Sequence, residues 1–158
     1  ALQVAEAFEP EAPLVLAAEL PAQKALVQLV EAHGHCLVVA DGAWVVGLVT
    51  LADLQRALSA EREFNEDGSL PVPTLLSCRR SDLVWLPMSA QLAQLEDQLR
   101  PNGLRQLPVF DVPAAAALPH GLPNPGLPVA SLRGLASRDG MARALARQLT
   151  PAEDWAQA

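Results

Sequence analysis

Thr50 and Asp53 form the pair of side chains in this sequence whose types and spacing could do chemistry. They lie in Gly47-Leu48-Val49-Thr50-Leu51-Ala52-Asp53, where an apolar strand runs into the periodic start of a helix. A helix start offers backbone N–H groups and the positive end of a dipole. There a hydroxyl, and a carboxylate three residues on, can grip a sugar diol while the N–H groups approach its phosphate. The same Thr-x-x-Asp spacing is also a capping box, in which the two side chains satisfy the helix start with no ligand at all. On these residues alone both readings stand.

Other reactive constellations are missing from the sequence. No Ser/His/Asp set, nucleophile elbow, phosphate-binding glycine loop or paired carboxylate arrangement is recognisable, so no enzymatic activity is expected. His33-x-His35-Cys36 does not have a common zinc spacing and has no second cluster to complete it, so it reads as a helix-end histidine pair and no metal is expected. Trp44 and Trp85 read as core or interface residues. Pro125-x-x-Pro128 has no flanking basic residue and reads as a passive surface loop.

Composition narrows the class. The 158 residues are long enough for one domain or two coupled halves with a real core, and 51% of them are hydrophobic. The longest apolar candidate, from Cys36 to Leu54, is interrupted by Asp41, Gly42 and Asp53 and falls short of a membrane span. Two cysteines, Cys36 and Cys78, make no disulfide framework and suit a reducing cytosol. The chain opens at Ala1 without Met, as expected of a processed protein or of a piece of a longer one. A net charge of −7 argues against nucleic acid and anionic membrane as partners. That charge is uneven. Residues 1–72 hold eleven acids and three bases, whereas residues 73–158 hold seven acids and eight arginines. An anionic ligand held by the first half would draw its countercharge from the second.

The elements that must position Thr50 and Asp53 follow in order. Leu2 to Phe8 reads as a lead-in helix and Leu14-Val15-Leu16 as a brief strand. Ala22, Ala25, Leu26, Leu29 and Val30 keep helical spacing, with Pro21 at the start and Gly34 near the end. Cys36 to Ala40 and Trp44 to Val49 form two strands around the Asp41-Gly42 turn, and a helix from Leu51 to Ala60 completes the unit. Strands this apolar are expected to be covered on both faces. Residues 61–72 read as a linker.

The order then recurs over residues 73–149. Thr74 to Cys78 is a second lead-in and Leu83 to Leu86 a second short strand. Ser89 caps a helix carrying Leu92, Leu95 and Leu99, and Gln106 to Asp111 is the next strand. Asp41 and Asp111 correspond at an offset of 70, while the final strand and helix, Leu132 to Leu145, align with the first motif at an offset of 87. The difference measures a 17-residue insertion, roughly 112–128, whose five prolines should keep it extended and out of any strand interior. Residues 150–158 form a tail.

A repeated unit ending in an apolar strand, Gly-hydrophobic-hydrophobic-Thr/Ser-x-x-Asp and a helix resembles the CBS-domain family, and two in one chain resemble a Bateman module. The likeness runs from about Leu2 to Leu149 and is most specific at Gly47–Asp53, Leu37–Asp41 and Leu107–Asp111. It implies an α/β fold of two β-α-β-β-α repeats packed with pseudo-twofold symmetry, with clefts between them that often bind adenine nucleotides such as ATP, ADP or AMP. Carried across, Thr50 and Asp53 would contact the ribose and first phosphate, with Leu16, Ala17, Cys36 and Leu37 near the base. An apolar slot for the adenine face and a carboxylate for the diol agree with that.

The second motif departs from the pattern. Gly140 stands where Asp is expected, and Asp139 is one position early, rotated about 100° around the helix. Ser137 and Arg138 would then serve a phosphate rather than a ribose. The resemblance further implies a cytoplasmic regulatory module and a homodimer. It also implies an attached or associated membrane transporter, first a CLC-type chloride transporter, without membrane insertion of its own. The rival expectation is a structural module that dimerises its host and binds no small molecule.

Overall fold

The computed structural model describes residues 2–64, 72–80, 83–113 and 123–150. Contacts divide the chain into two compact units, Pro13–Leu83 with Pro119–Ser131, and Ala1–Ala12 with Val84–Leu118 and Leu132–Ala158. Both are mixed α/β, as the periodicities predict.

The first unit contains β1 (Val15–Ala17), α1 (Ala22–Glu31), β2 (Cys36–Asp41), β3 (Trp44–Thr50), α2 (Leu51–Phe64) and the short α3 (Leu75–Cys78). The second contains a 3-10 turn at Val4–Ala7, then β4 (Leu86–Pro87), α4 (Leu92–Leu99) and β5 (Gln106–Phe110). One further strand, β6 (Leu127–Pro128), belongs to the first unit, and β7 (Leu132–Ser137) and α5 (Arg138–Leu149) close the second.

In the first unit the strand order is β1-β2-β3-β6, with β1 parallel to β2 and the remaining pairs antiparallel. Leu37, Val38 and Val39 are all fully buried, and because successive side chains point to opposite faces, both faces of β2 are covered. Ala22, Ala25 and Leu29 on α1 meet Leu37, Val39, Val49 and Leu54 in the core. The second unit orders its strands β4-β5-β7. Its core includes Leu95, Leu99, Leu107 and Phe110, and Trp85 meets Phe110 edge to face at 5.8 Å. The repeat extends to irregularities: the register shifts between Val39 and Ala40 on β2 and between Val109 and Phe110 on β5, at equivalent positions.

Sequence order and spatial grouping differ at the lead-ins. The segment after Pro73 docks in the first unit, where Leu75 is fully buried in the core and its N–H donates to the Leu20 carbonyl. The segment from Gln3 to Glu9 docks in the second, bridging Gln3 to Gln91 and Phe8 to Ala136. The units therefore cross the repeat boundaries read from the sequence at 1–60 and 73–149. Pieces this short have no core of their own and settle where their apolar side chains find one.

Local details also shift. The Leu2–Phe8 lead-in is a 3-10 turn rather than a helix. Helix α2 runs on to Phe64, into the stretch read as linker; residues 65–71 lie outside the described residues. The short second strand is Leu86–Pro87, later than the Leu83–Leu86 expected. Helix α4 starts after Gln91, whose N–H donates to Gln94 Oε1 at 2.8 Å, so Ser89 is not its cap. Helix α1 ends at Glu31, and the left-handed residue just past it is His33 at φ 54°, with Gly34 next in line.

The end of the Pro-rich insertion is not passive. Leu127 and Pro128 pair with Val45 and Trp44 at the edge of β3, the position in a sheet that tolerates proline. Gly126 makes this approach, since a Cβ there would lie 2.4 Å from the Val45 carbonyl oxygen. Residues 114–122 of the insertion and 151–158 of the tail lie outside the described residues.

Candidate functional site

The Thr50–Asp53 junction is a reciprocal cap. The Thr50 N–H donates to Asp53 Oδ2 at 2.9 Å, and the Asp53 N–H donates to Thr50 Oγ1 at 3.1 Å. This is the capping box the spacing allowed. Two cations complete it. Arg56 Nη2, one turn along α2, lies 2.5 Å from Asp53 Oδ1, and Arg80 Nε lies 3.3 Å from Asp53 Oδ2. Asp53 is only 7% exposed, whereas the Arg56 side chain is 72% exposed and that of Arg80 32%. Burial by itself would raise the Asp53 carboxyl, but the Thr50 backbone and side-chain hydrogen bonds and the Arg80 guanidinium outweigh it. They hold the group below the usual carboxylate range.

Arg80 arrives from the segment that follows α3. Its N–H donates to the Leu48 carbonyl, and the preceding Arg79 lies across Gly47 and donates from Nη1 to the Val46 carbonyl at 2.7 Å. A Cβ at Gly47 would come within 3.0 Å of the Arg79 side chain. Both arginines come from the arginine-rich half of the sequence, and Arg80 supplies countercharge to Asp53 in the acidic half. Arg56 and Arg80 were not among the site residues expected from the sequence. The signal for Arg80 was the charge asymmetry, which points to a half of the chain rather than to a residue.

Of the residues expected near the base, Cys36 lies next to the motif, whereas Leu16 and Ala17 lie farther along the sheet. Cys36 is the cross-strand partner of Thr50 and stands beside the motif. It is buried, and burial pushes its thiol up to about 12, only partly countered by Arg80. Leu37 points its side chain into the core. Leu16 and Ala17 pair with Val39 and Ala40, about 10 Å or more along β2 from Cys36. Leu16 packs on the core and Ala17 is exposed.

Ser137 and Arg138 belong to the second unit. Ser137 is 2% exposed and caps α5, its Oγ accepting from the Gly140 N–H at 2.8 Å. Its hydroxyl donates to Glu9 Oε1. Arg138 is exposed and lies 3.7 Å from Glu96. Asp139 is exposed in the first turn of α5, as its position one residue early implies. No helix among the described residues is long and apolar enough to cross a membrane.

Comparison with known proteins gives likenesses in sequence and in fold. Residues 10–60 match the model of the CBS domain. Among solved structures, CBSX2 in complex with AMP is 22% identical with a TM-score of 0.69, covering 95% of this chain and 100% of that one. A CBS-domain-containing protein of Thermotoga maritima, TM0935, is 16% identical with a TM-score of 0.68 over 92% of this chain and 95% of its own. The CBS-domain pair of MJ0100, in complex with 5′-methylthioadenosine and S-adenosyl-L-methionine, is 12% identical with a TM-score of 0.66, covering 92% and 97%. Comparison with curated proteins gives no match. With the repeated motif, the shared register shifts and these likenesses in place, residues 10–60 match the CBS domain and the chain has the fold of CBS-domain pairs.

Proposed function

We propose that this protein is a non-catalytic regulatory module whose Thr50–Asp53–Arg80 cluster recognises an adenosine-derived ligand. The observation that carries this reading is the Asp53 carboxylate, buried at a helix start and flanked by two guanidinium groups. A carboxylate so held can accept from both hydroxyls of a ribose, while Arg80 and the α2 terminus meet a phosphate. Support comes from the similar folds solved with AMP and with 5′-methylthioadenosine and S-adenosyl-L-methionine. The ligand acts by preferring one state of the protein and shifts the equilibrium only by that preference. The output passes to an associated or covalently attached protein on the cytoplasmic side. A CLC-type chloride transporter is the first host to test, and a homodimer is the expected assembly.

The test is thermal denaturation with AMP, ADP, ATP, 5′-methylthioadenosine and S-adenosyl-L-methionine, repeated with Asp53→Asn. A ligand at a hundred times its dissociation constant should stabilise by about 2.7 kcal/mol, and the variant should lose the response. The second reading, a ligand-free structural module, has its own observation: Thr50 and Asp53 already satisfy each other. It prevails if no compound at millimolar concentration moves the transition.

A further inference from the structure

The second unit carries a counterpart of the Asp53 cluster with its charges rearranged. At the offset of 87, Leu48, Thr50, Asp53 and Arg56 correspond to Leu135, Ser137, Gly140 and Arg143. The residue facing the motif corresponds too. Arg80 donates its N–H to the Leu48 carbonyl, and Glu9 donates its N–H to the Leu135 carbonyl. A cation therefore stands in the first unit where an anion stands in the second. With the helix carboxylate replaced by Gly140, Glu9 supplies one instead. Its Oε1 accepts from the Ser137 hydroxyl and its Oε2 lies 3.4 Å from Arg143 Nη2. The backbone seals the place: a Cβ at Gly140 would lie 1.9 Å from the Ala7 carbonyl oxygen, so the lead-in rests directly on the start of α5. Arg147 Nη2 donates to the Glu6 carbonyl and fastens it further.

We propose that Glu9 is a built-in occupant of the second unit's helix-start anion site, held by Ser137 and Arg143, so that this helix start is closed to free anions. A helix N-terminus with a nearby guanidinium favours an anion whatever molecule carries it. Here the chain provides its own. The inference rests on the adenosine reading only for the number of ligands bound per chain.

The experiment follows thermal denaturation of the full chain in rising inorganic phosphate at constant ionic strength. Glu9→Ala should gain, over the unaltered protein, a phosphate-dependent rise of about 3 °C or more at ten times half-saturation. Glu9→Ala/Arg143→Met should lose that gain, and Glu9→Gln, which keeps the place filled, should show none. Equal responses in the unaltered protein and Glu9→Ala, or a gain that survives Arg143→Met, overturn the proposal. Equilibrium dialysis of the unaltered protein with AMP supplies a measure that needs no variant. One or no AMP per chain agrees with a filled second site, and two overturns it. Zero would instead sink the adenosine reading, so the two failures are distinguishable.

Discussion

Arg80 Nε lies 3.3 Å from Asp53 Oδ2 across 27 residues of sequence, which ties the lead-in segment to the helix start of the first motif. The contact gives Asp53 two duties. It caps α2 through Thr50, and it anchors a chain segment through Arg80.

Asp53→Ala should therefore destabilise the protein without any ligand, by about 1–3 kcal/mol at pH 7. Loss of a cap is worth about 1 kcal/mol, and hydrogen bonds to charged groups about 1.5–3. The folded carboxyl is held below its ordinary value, so its contribution is fully present above the unfolded value near 3.9. It fades as pH falls through the folded one. Urea denaturation of the unaltered protein and of Asp53→Asn at pH 7 and pH 3 should show the difference shrink in acid. A difference that grew in acid would contradict the assignment.

Arg80→Met should weaken AMP about tenfold or more and leave 5′-methylthioadenosine, which has no phosphate, much less affected. The estimate takes one charge-assisted hydrogen bond at about 1.5–3 kcal/mol. Isothermal titration with both ligands checks it. Equal losses for the two would place Arg80 away from the phosphate.

Gly140→Ala should cost about 1–3 kcal/mol, because the new Cβ meets the Ala7 backbone. In an ordinary helix interior the same change would stabilise by up to about 1 kcal/mol. The sign of the change in chemical denaturation decides between close approach and helix propensity.

Leu75→Ala should cost about 2–5 kcal/mol, since the side chain is fully buried in the first unit's core. Leu76→Ala, its exposed neighbour, should stay within about 0.5 kcal/mol. Comparable losses at both would remove the docking of this lead-in.

Cys36, with its thiol pushed up to about 12, should resist maleimide at pH 8 in the folded protein and react after denaturation. Mass spectrometry of labelled peptides reads this directly. Rapid native labelling at Cys36 would mean that the strand pairing with Thr50 opens.

Much of this was legible in the residues. Short apolar runs marked β2, β3 and β5, and helical apolar spacing marked α1, α4 and α5. The offset of 70 between Asp41 and Asp111 also relates the register shifts in β2 and β5, which the sequence did not announce. Thr50 and Asp53 announced a helix start, and Gly140 marked the second motif as altered. These are local facts, set by neighbours within a few positions.

Which distant segment would meet each motif was left to the tertiary structure. Nothing near Arg80 in the chain points to Asp53, and nothing near Glu9 points to Ser137 or Arg143. Leu75 has the same composition signal as any apolar residue after a linker, yet it finds its cavity beside Leu54. The edge pairing of Leu127 and Pro128 on β3 likewise contradicts no local rule and follows from none. Local spacing decides secondary structure because its hydrogen bonds and periods are short-range. Packing and countercharge are satisfied by whichever segment folds into reach, and only the assembled chain selects it.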